Sequence, residues 1–398
     1  MTAELKIRAL FFMLKINPFY LLISFYLIVN LIFALIGFNN NNVEIELSLF
    51  YLKSNSFIIA YFFQLFSCSF IMISYLIFKN YNKSKRIDLI GRKGAFLLFS
   101  LQFCFLLYNA HYETNIAGGS IKASNMILNT FFVLLPADLF YIIFSPYLKS
   151  NKWFVLNTFL YVISNTLRGW MGAILLAFFV FLCRKERIEV TIKSLLNYST
   201  FIAIVFFMLP YLFLLKWAMR SSDSVLSVLE VVNKDSYLDL LGEGLYYVFN
   251  RFQHNYHVAL IWENSESLVS AYQAGRILPY WGEGVIQTIF IKLLSFGEIK
   301  TLGQAMVSSL FYSQGAWNSN PGLSGWLIVT QEYFIFYIFY VFIVLFFGFY
   351  ISKKFYDNKI FMILSVFSIF YLFHGWIGSY VTMITYLLFF AMIKRIRF

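Results

Sequence analysis

The sequence predicts an all-α polytopic membrane protein with about ten transmembrane helices and one large loop. Three observations support this fold class. Of the 398 residues, 60% are hydrophobic and only 13% are charged, whereas soluble domains carry about 25% charged residues. Apolar runs of membrane-spanning length recur along the chain. The segment 217–326 interrupts this pattern with mixed polarity.

Six apolar runs are each long enough to cross a hydrocarbon core of about 30 Å, which takes about 17–25 helical residues. Two further runs are too long for one crossing, and basic residues flank both ends of each. Because basic residues collect on the cytoplasmic side, each long run is predicted to be a tight helical hairpin. The single spans are 18–37, 57–78, 94–110, 125–147, 195–216 and 327–350, and the hairpins are 153–183 and 360–393.

The distribution of basic residues predicts the orientation. In the ten-span topology, 21 of the 31 Lys and Arg residues lie on one side, whereas the short turns of the other side carry only Lys53, Lys122 and Arg168. Both termini are therefore expected in the cytoplasm. The chain then divides into helices 1–7 (1–216), a large exported loop (217–326) and helices 8–10 (327–398). The net charge of +12 is dispersed over short turns, which indicates topology and not nucleic-acid binding.

Ionisable residues within membrane segments are costly and are often functional. Arg168 lies at the tip of the first hairpin, in NTLRGWMG. Either it snorkels to the headgroups, or its guanidinium binds an anionic group, since its donors match phosphate oxygens; we favour the second. Asp138, in the fourth span, is either a helix-kink partner or a functional acid. His374, in FHGWIGS, is expected to be a hydrogen-bonded packing residue.

Within the loop, the segment 243–263 predicts an amphipathic helix. Its apolar and polar residues separate at steps of three or four. The helix would lie along the outer leaflet, or it would add a site in which Arg251 grips phosphate and His254 acts as a base. Tyr247 and His257 are further candidates. The apolar stripe is Leu245, Phe249, Phe252, Tyr256 and Leu260, and the polar side is Glu243, Tyr247, Arg251 and His254.

Two later loop segments carry further candidates. AGRILPYWGEG contains Arg276 and Glu283, and AWNSNPGLSGWL contains Asn318 and Asn320, whose amides could bind sugar hydroxyls. The sequence contains no Gly-rich phosphate loop, nucleophile elbow or metal-ligand spacing. It therefore predicts an activity that uses neither a nucleotide, a metal nor another cofactor.

Together these features resemble an O-antigen polymerase of the Wzy type. The resemblance rests on ten spans, one large late loop and the segments NTLRGWMGAI, FNRFQHN and NPGLSGWLIVTQEYF. It implies a GT-C-like glycosyltransferase of the bacterial inner membrane that joins oligosaccharide repeat units carried on undecaprenyl diphosphate. It also implies membrane lipid and a chain-length regulator protein as partners. Site residues are implied at Arg168 and Arg251, and less directly at Arg276 and His254.

The chemistry of such a reaction suits these residues. If the growing chain is the donor, its anomeric carbon already bears a diphosphate leaving group, so the enzyme must place an acceptor hydroxyl in line and stabilise the departing charge. Arg168 and Arg251 are predicted to clamp the diphosphate without metal. The base would be His254, Glu263 or Glu283. Direct attack from the opposite face predicts inversion at the anomeric carbon.

Two other classes of protein fit the same topology. An O-antigen ligase or serotype-modifying glucosyltransferase would use the same donor with another acceptor. A flippase or other transporter is the non-enzymatic alternative. Transporters place charged residues along several spans near the midplane, whereas Asp138 is the only clearly central charge in this sequence. The polymerase interpretation is therefore favoured.

Overall fold

The computed structural model consists mainly of helices joined by short turns. Five of the described helices are long and apolar enough to cross a membrane, which is consistent with an all-α membrane protein, while the count of ten spans and the GT-C-like fold stay predictions. The five are Pro18–Asn40, Ser54–Lys79, Arg92–Tyr112, Met126–Tyr147 and Gln331–Phe355. The structure describes residues 14–45, 48–81, 88–116, 125–170, 172–185, 188–190, 192–221, 237–284, 287, 290–291, 299–311, 319 and 321–393.

In chain order the elements are β1 (Leu14–Ile16), α1 (Pro18–Asn40), β2 (Asn42–Ile45), β3 (Ser48–Tyr51), α2 (Ser54–Lys79), α3 (Arg92–Tyr112), α4 (Met126–Leu134), α5 (Ala137–Phe144), α6 (Asn151–Leu167), α7 (Gly172–Arg184), β4 (Ile188–Val190), α8 (Ile192–Ser221), α9 (Tyr237–Phe252), α10 (Asn255–Glu263), α11 (Ser265–Gln273), α12 (Leu302–Leu310), α13 (Gly322–Val329), α14 (Phe334–Phe355), α15 (Asn358–Phe367) and α16 (Ile377–Ile393). A π-helical turn, Ser368–Phe373, extends α15. The strands form two antiparallel pairs, β1 with β4 and β2 with β3.

The described residues form two compact units. The first comprises those of Met1–Leu21, Leu89–Ala117 and Ser124–Val248, and the second comprises the rest. The first unit therefore contains α3 to α8 and most of α9. In the second unit, α2 packs against α10, α13 and α14, and a hydrogen bond of 3.0 Å joins Ser67 of α2 to Ser324 of α13.

Both predicted hairpins are pairs of consecutive helices. The first is α6 and α7, which meet around the turn at Arg168. The second is α15, with its π-helical turn, and α16, which meet around residues 374–376. The predicted span 125–147 corresponds to the membrane-length segment Met126–Tyr147, which is bent, and the predicted span 327–350 begins later, at Gln331. Helices α4 and α5 separate at Pro136, since proline has no N–H to donate and restricts the residue before it.

The segment that begins at Gly322, just before the eighth predicted span, forms a separate helix. All eight residues of α13, Gly322–Val329, are buried, and a short 3-10 turn at Gln331–Tyr333 separates it from α14. The long apolar helix consequently begins at Gln331, four residues after the predicted start. A buried short helix of this kind brings its N-terminal turn, at Pro321 and Gly322, into the interior of the second unit.

Candidate functional site

The loop helix predicted over 243–263 is broken, because a side chain from α1 enters it. Helix α9 ends at Phe252 and α10 begins at Asn255. At the break, Asn30 Oδ1 accepts a hydrogen bond from His254 N at 2.8 Å, and Asn30 Nδ2 donates to Phe252 O at 3.1 Å. These bonds take the place of helical backbone bonds. The prediction of one continuous amphipathic helix is therefore wrong.

Asn30 is itself fixed by a second buried amide. It is fully buried, and Gln64 Nε2 of α2 donates to its Oδ1 at 2.9 Å. Buried polar groups stabilise a structure only when they are hydrogen-bonded, and here two polar side chains from apolar helices satisfy a loop backbone. Neither was predicted as a site residue. The signal was present, since each is an isolated amide within a long apolar run.

The break turns His254 into the interior, where it meets the second hairpin. Only 1% of His254 is exposed, so it does not lie on a polar helix face as predicted. Its Nε2 lies 2.7 Å from His374 Nδ1, and His374 Nε2 lies 2.7 Å from the hydroxyl of Tyr26. His374 is thus hydrogen-bonded, as expected. The three side chains form a continuous chain of hydrogen bonds, which we call the His–His–Tyr chain.

The environment keeps His254 neutral. Burial lowers the pKa of His254 well below 6.5, and the nearby charges of His374, His257 and Arg251 lower this pKa further. A neutral imidazole donates from one nitrogen and accepts at the other. The Nδ1 atom of His254 is buried and has no hydrogen-bond partner among the described residues. The His–His–Tyr chain is therefore suited to fixing the loop on the hairpin, since charging it is costly.

Glu283 approaches the same hairpin from another part of the loop. Its Oε2 accepts a hydrogen bond of 3.4 Å from Gly378 N, in the first turn of α16. Burial raises the pKa of Glu283 to about 8, although hydrogen bonds from the backbone of Gly378 and Ile377 oppose the rise. A carboxyl with a pKa in this range can hold or release its proton near neutral pH. Strongly perturbed carboxyls of this kind concentrate at functional sites.

The turn between α15 and α16 thus gathers three loop segments. We call residues 374–378 the hairpin tip. Besides His254 and Glu283, the tip receives the start of α13, because Gly322 N donates to His374 O at 3.1 Å. Gly375 has φ +85°, and a Cβ at this position would lie 2.8 Å from Gly322 N. Only glycine allows the two backbones to approach this closely.

Residues that shortly precede Glu283 in the sequence line a groove rich in aromatic side chains. Its volume is about 770 Å³. Trp281, two residues before Glu283, lines it together with the neighbouring Tyr280. Arg276 is exposed and stands in the chain between two lining residues. We call this cavity the aromatic groove; its lining residues are Tyr272, Gln273, Gly275, Ile277, Pro279, Tyr280, Trp281, Ile299, Tyr333 and Phe336.

Arg168, in the first unit, has an internal partner. Its Nη2 lies 2.6 Å from Asp138 Oδ2 and donates to Asn165 Oδ1 at 2.9 Å, while Asn165 Nδ2 donates to Asp138 Oδ1 at 3.1 Å. The guanidinium also lies over the ring of Phe105 at 4.9 Å. The two intramembrane ionisable groups singled out in the sequence therefore neutralise each other. This geometry favours a structural role for Arg168 over anion binding.

The remaining candidates are distributed over the two units. Tyr247 is half-buried in the first unit, with its ring 5.4 Å from that of Phe213. Arg251 and His257 belong to the second unit, where the His257 ring lies 6.0 Å from the His254 ring. Since Arg168 and Arg251 belong to different units, their diphosphate clamp stays a prediction. Asn318 and Asn320 lie outside the described residues.

Comparison with known proteins adds no assignment to this geometry. No protein-family model, curated protein or solved structure matches the chain. In the described residues, no three His, Cys, Asp or Glu side chains are grouped so that they could hold a metal ion, and metal-independent turnover stays a prediction. The site is therefore interpreted from its own chemistry.

Proposed function

We propose that this protein is a membrane glycosyltransferase that polymerises oligosaccharide repeat units carried on undecaprenyl diphosphate. The observation that carries the proposal is Glu283, a carboxyl with a pKa near 8 that stands next to the aromatic groove in the chain. General bases work best when their pKa lies near the operating pH. The polymerase resemblance of the sequence supports the same conclusion.

Glu283 and two arginines of the loop have the chemistry that glycosyl transfer from a lipid diphosphate needs. Glu283, when ionised, takes the proton of the acceptor hydroxyl as that oxygen bonds to the anomeric carbon. The bond from this carbon to the diphosphate breaks, and the diphosphate leaves with the electron pair. Arg276 and Arg251 are the arginines proposed to stabilise the departing charge. Attack opposite the leaving group inverts the anomeric carbon.

The His–His–Tyr chain serves this reaction as a support. Because His254 is buried and its pKa is lowered, it is a poor proton acceptor at neutral pH, and the base is assigned to Glu283 instead. His254 and Glu283 both contact the hairpin tip. The contact of His254 with the tip therefore limits the movement of the Glu283 carboxyl relative to the loop segment that contains His254. Catalytic geometry of this kind must hold to about 0.5 Å.

The test is chain extension by the purified protein. Protein in lipid nanodiscs is mixed with undecaprenyl-diphosphate-linked repeat units, and the products are separated by mass. Polymerase activity predicts a ladder of products that each differ by one repeat. Loss of one lipid carrier per added repeat should accompany it. An absence of ladders from well-folded protein, with the same lipids accepted by another polymerase, contradicts the proposal.

A deletion strain separates the polymerase from its alternatives. Loss of a polymerase leaves lipopolysaccharide with a single repeat, whereas loss of a ligase or flippase removes the O-antigen entirely.

The His–His–Tyr chain gives the transporter alternative one supporting observation, because hydrogen-bonded histidines can relay protons. Transport coupled to protons predicts uptake of protons by vesicles upon addition of substrate. Ladder formation without a membrane gradient excludes that coupling from the reaction.

A further inference from the structure

The aromatic groove combines exposed rings with uncharged polar groups. Trp281, Tyr333 and Phe336 expose 51%, 52% and 67% of their surface, and Tyr333 and Phe336 stand at the start of the apolar span Gln331–Phe355. Tyr272 and Tyr333 add phenol hydroxyls, and Gln273 adds an amide. The described lining residues include no Asp, Glu, Lys or Arg. The lining therefore suits a neutral ligand that has both apolar faces and hydroxyls.

We infer that the aromatic groove binds the oligosaccharide part of the acceptor. This inference rests on the proposed function and assigns its acceptor subsite to the groove. The face of an aromatic ring carries partial negative charge and attracts the partially positive C–H groups of a sugar ring. The phenol hydroxyls and the amide can exchange hydrogen bonds with sugar hydroxyls. A volume of about 770 Å³ lies within the range of about 300–1,000 Å³ that is usual for small-molecule sites.

A polyprenyl chain fits the same groove less well. Its hydrocarbon makes no hydrogen bonds to the amide of Gln273 or to the phenol hydroxyls, so it would use only the apolar part of the lining. The diphosphate fits less well too, since no described lining residue carries a positive charge. Sugar is therefore the part of the lipid-linked substrate that matches the groove.

Tyrosine side chains connect the groove to the proposed base. Tyr280 and Trp281 line it and Glu283 follows two residues later. The ring centroid of Tyr280 lies within 5.2 Å of those of Tyr337 and Tyr340, and Tyr340 interacts electrostatically with Glu283. A sugar bound in the groove would therefore lie near the tyrosines that neighbour the carboxyl.

The binding test uses oligosaccharide repeat units released by mild acid from their lipid carrier. Saturation-transfer NMR measures their affinity for protein in nanodiscs, and undecaprenyl phosphate without sugar is the second probe. Trp281→Ala should weaken oligosaccharide binding at least about tenfold, and Trp281→Phe should restore part of it. Trp262→Ala is the matched control, since Trp262 is also exposed and packs on Phe63. Thermal unfolding checks that every variant is folded.

The outcomes separate this inference from the proposed function. Weakened oligosaccharide binding in Trp281→Ala, with unchanged binding of undecaprenyl phosphate, supports the sugar subsite even when no ladder is formed. Wild-type oligosaccharide affinity in a folded Trp281→Ala protein overturns the inference, even when polymerisation proceeds. The inference is also overturned when Trp281→Ala weakens only the binding of undecaprenyl phosphate, because the groove would then be a lipid site.

Discussion

His254 Nε2 and His374 Nδ1 lie 2.7 Å apart, although the two residues are separated by 120 positions in the chain. One residue comes from the break between two loop helices and the other from the tip of a helical hairpin. A hydrogen bond between two neutral imidazole rings requires one to donate and the other to accept. This contact therefore holds the loop on the hairpin and couples the tautomer of one histidine to that of the other.

We expect His254→Ala and His374→Ala each to destabilise the protein by about 1–3 kcal/mol, because each leaves a buried polar group unpaired. The double variant should lose clearly less than the sum of the two. Thermal and denaturant unfolding in detergent measures both quantities. His111→Ala is the control, since His111 is exposed. Strict additivity of the two losses would show that the rings do not interact in solution.

Asn30→Ala should be strongly destabilising. The change leaves His254 N and Phe252 O without their partner, and each unsatisfied buried group costs about 1–3 kcal/mol. The measurement is again the free energy of unfolding. Asn40→Ala, at the exposed end of the same helix, is the matched control. Equal stability of the two variants would contradict the role of Asn30 in breaking the loop helix.

The pair Arg168 and Asp138 gives a test of structural against catalytic function. Arg168→Ala leaves a carboxylate without its partner; since 32% of the Asp138 side chain is exposed, we expect a loss of only about 1–3 kcal/mol. The double variant Asp138→Asn with Arg168→Gln removes both charges and should recover much of this stability. If the pair is structural, chain extension recovers with it.

An inactive but stable double variant would instead support the predicted diphosphate clamp. In that case Arg168→Lys should also be impaired, because an ammonium cannot replace the bidentate fork. Membrane levels of each variant must be compared by blot, so that loss of activity is not confused with loss of protein. Phe105→Leu, which removes the ring beneath the guanidinium, reports the packing contribution separately.

The pH dependence of chain extension should report Glu283. A base acts when ionised, so activity should rise with pH through about 8, where the pKa of Glu283 lies. Glu283→Gln should lower the rate by a factor of about 100 or more and remove this rise. Glu266→Gln, at an exposed position of α11, should have the wild-type profile. An unchanged profile in Glu283→Gln would move the base elsewhere.

The same group sets a trend in stability with the opposite direction. The pKa of Glu283 is raised on folding, so the folded state favours the protonated carboxyl. Its stabilising contribution is full below the pKa of the unfolded chain, near 4.5, and is lost as pH rises toward about 8. Thermal unfolding from pH 5 to pH 9 should therefore show a decline that Glu283→Gln reduces. A decline of wild-type size in the variant would assign it to other groups.

The orientation is open to a direct measurement. The 21 basic residues on one side against three in the short turns of the other predict cytoplasmic termini and an exported loop. A reporter that is active only outside the cytoplasm should be active when fused near Ser265. A reporter that is active only in the cytoplasm should be active when fused after Phe398. Fusions within the turn near Lys149 serve as the internal cytoplasmic control. A cytoplasmic signal at Ser265 would contradict the topology.

Composition and apolar run length were sufficient to predict the class and both hairpins. Those features depend on local sequence, because a membrane helix needs only a long apolar stretch between basic turns. The break at His254 could not be predicted in the same way. It depends on Asn30, 224 positions away. The periodicity of a helical segment reports only its own residues and cannot reveal a contact with a side chain of another helix.

The candidate site divides along the same line. Glu283 and His254 were identified as candidates because ionisable residues in a polar loop are few, but their meeting at the hairpin tip is a long-range contact. Arg168 and Asp138 were each noticed as charges in apolar surroundings, yet their ion pair joins residues 30 positions apart. Tyr26 escaped notice since a tyrosine in a membrane span is ordinarily a packing residue.

The backbone contact between Gly375 and Gly322 affects how mutational screens of this protein should be read. Any side chain at Gly375 would collide with the start of α13, so replacements there would abolish activity in a growth-based selection as thoroughly as loss of the base. The positions that tolerate no substitution would then include both glycines needed for close packing and residues needed for the reaction. Antibody detection of folded protein at the membrane distinguishes them, because a chemically inert glycine fails at assembly whereas Glu283→Gln yields an intact but silent protein.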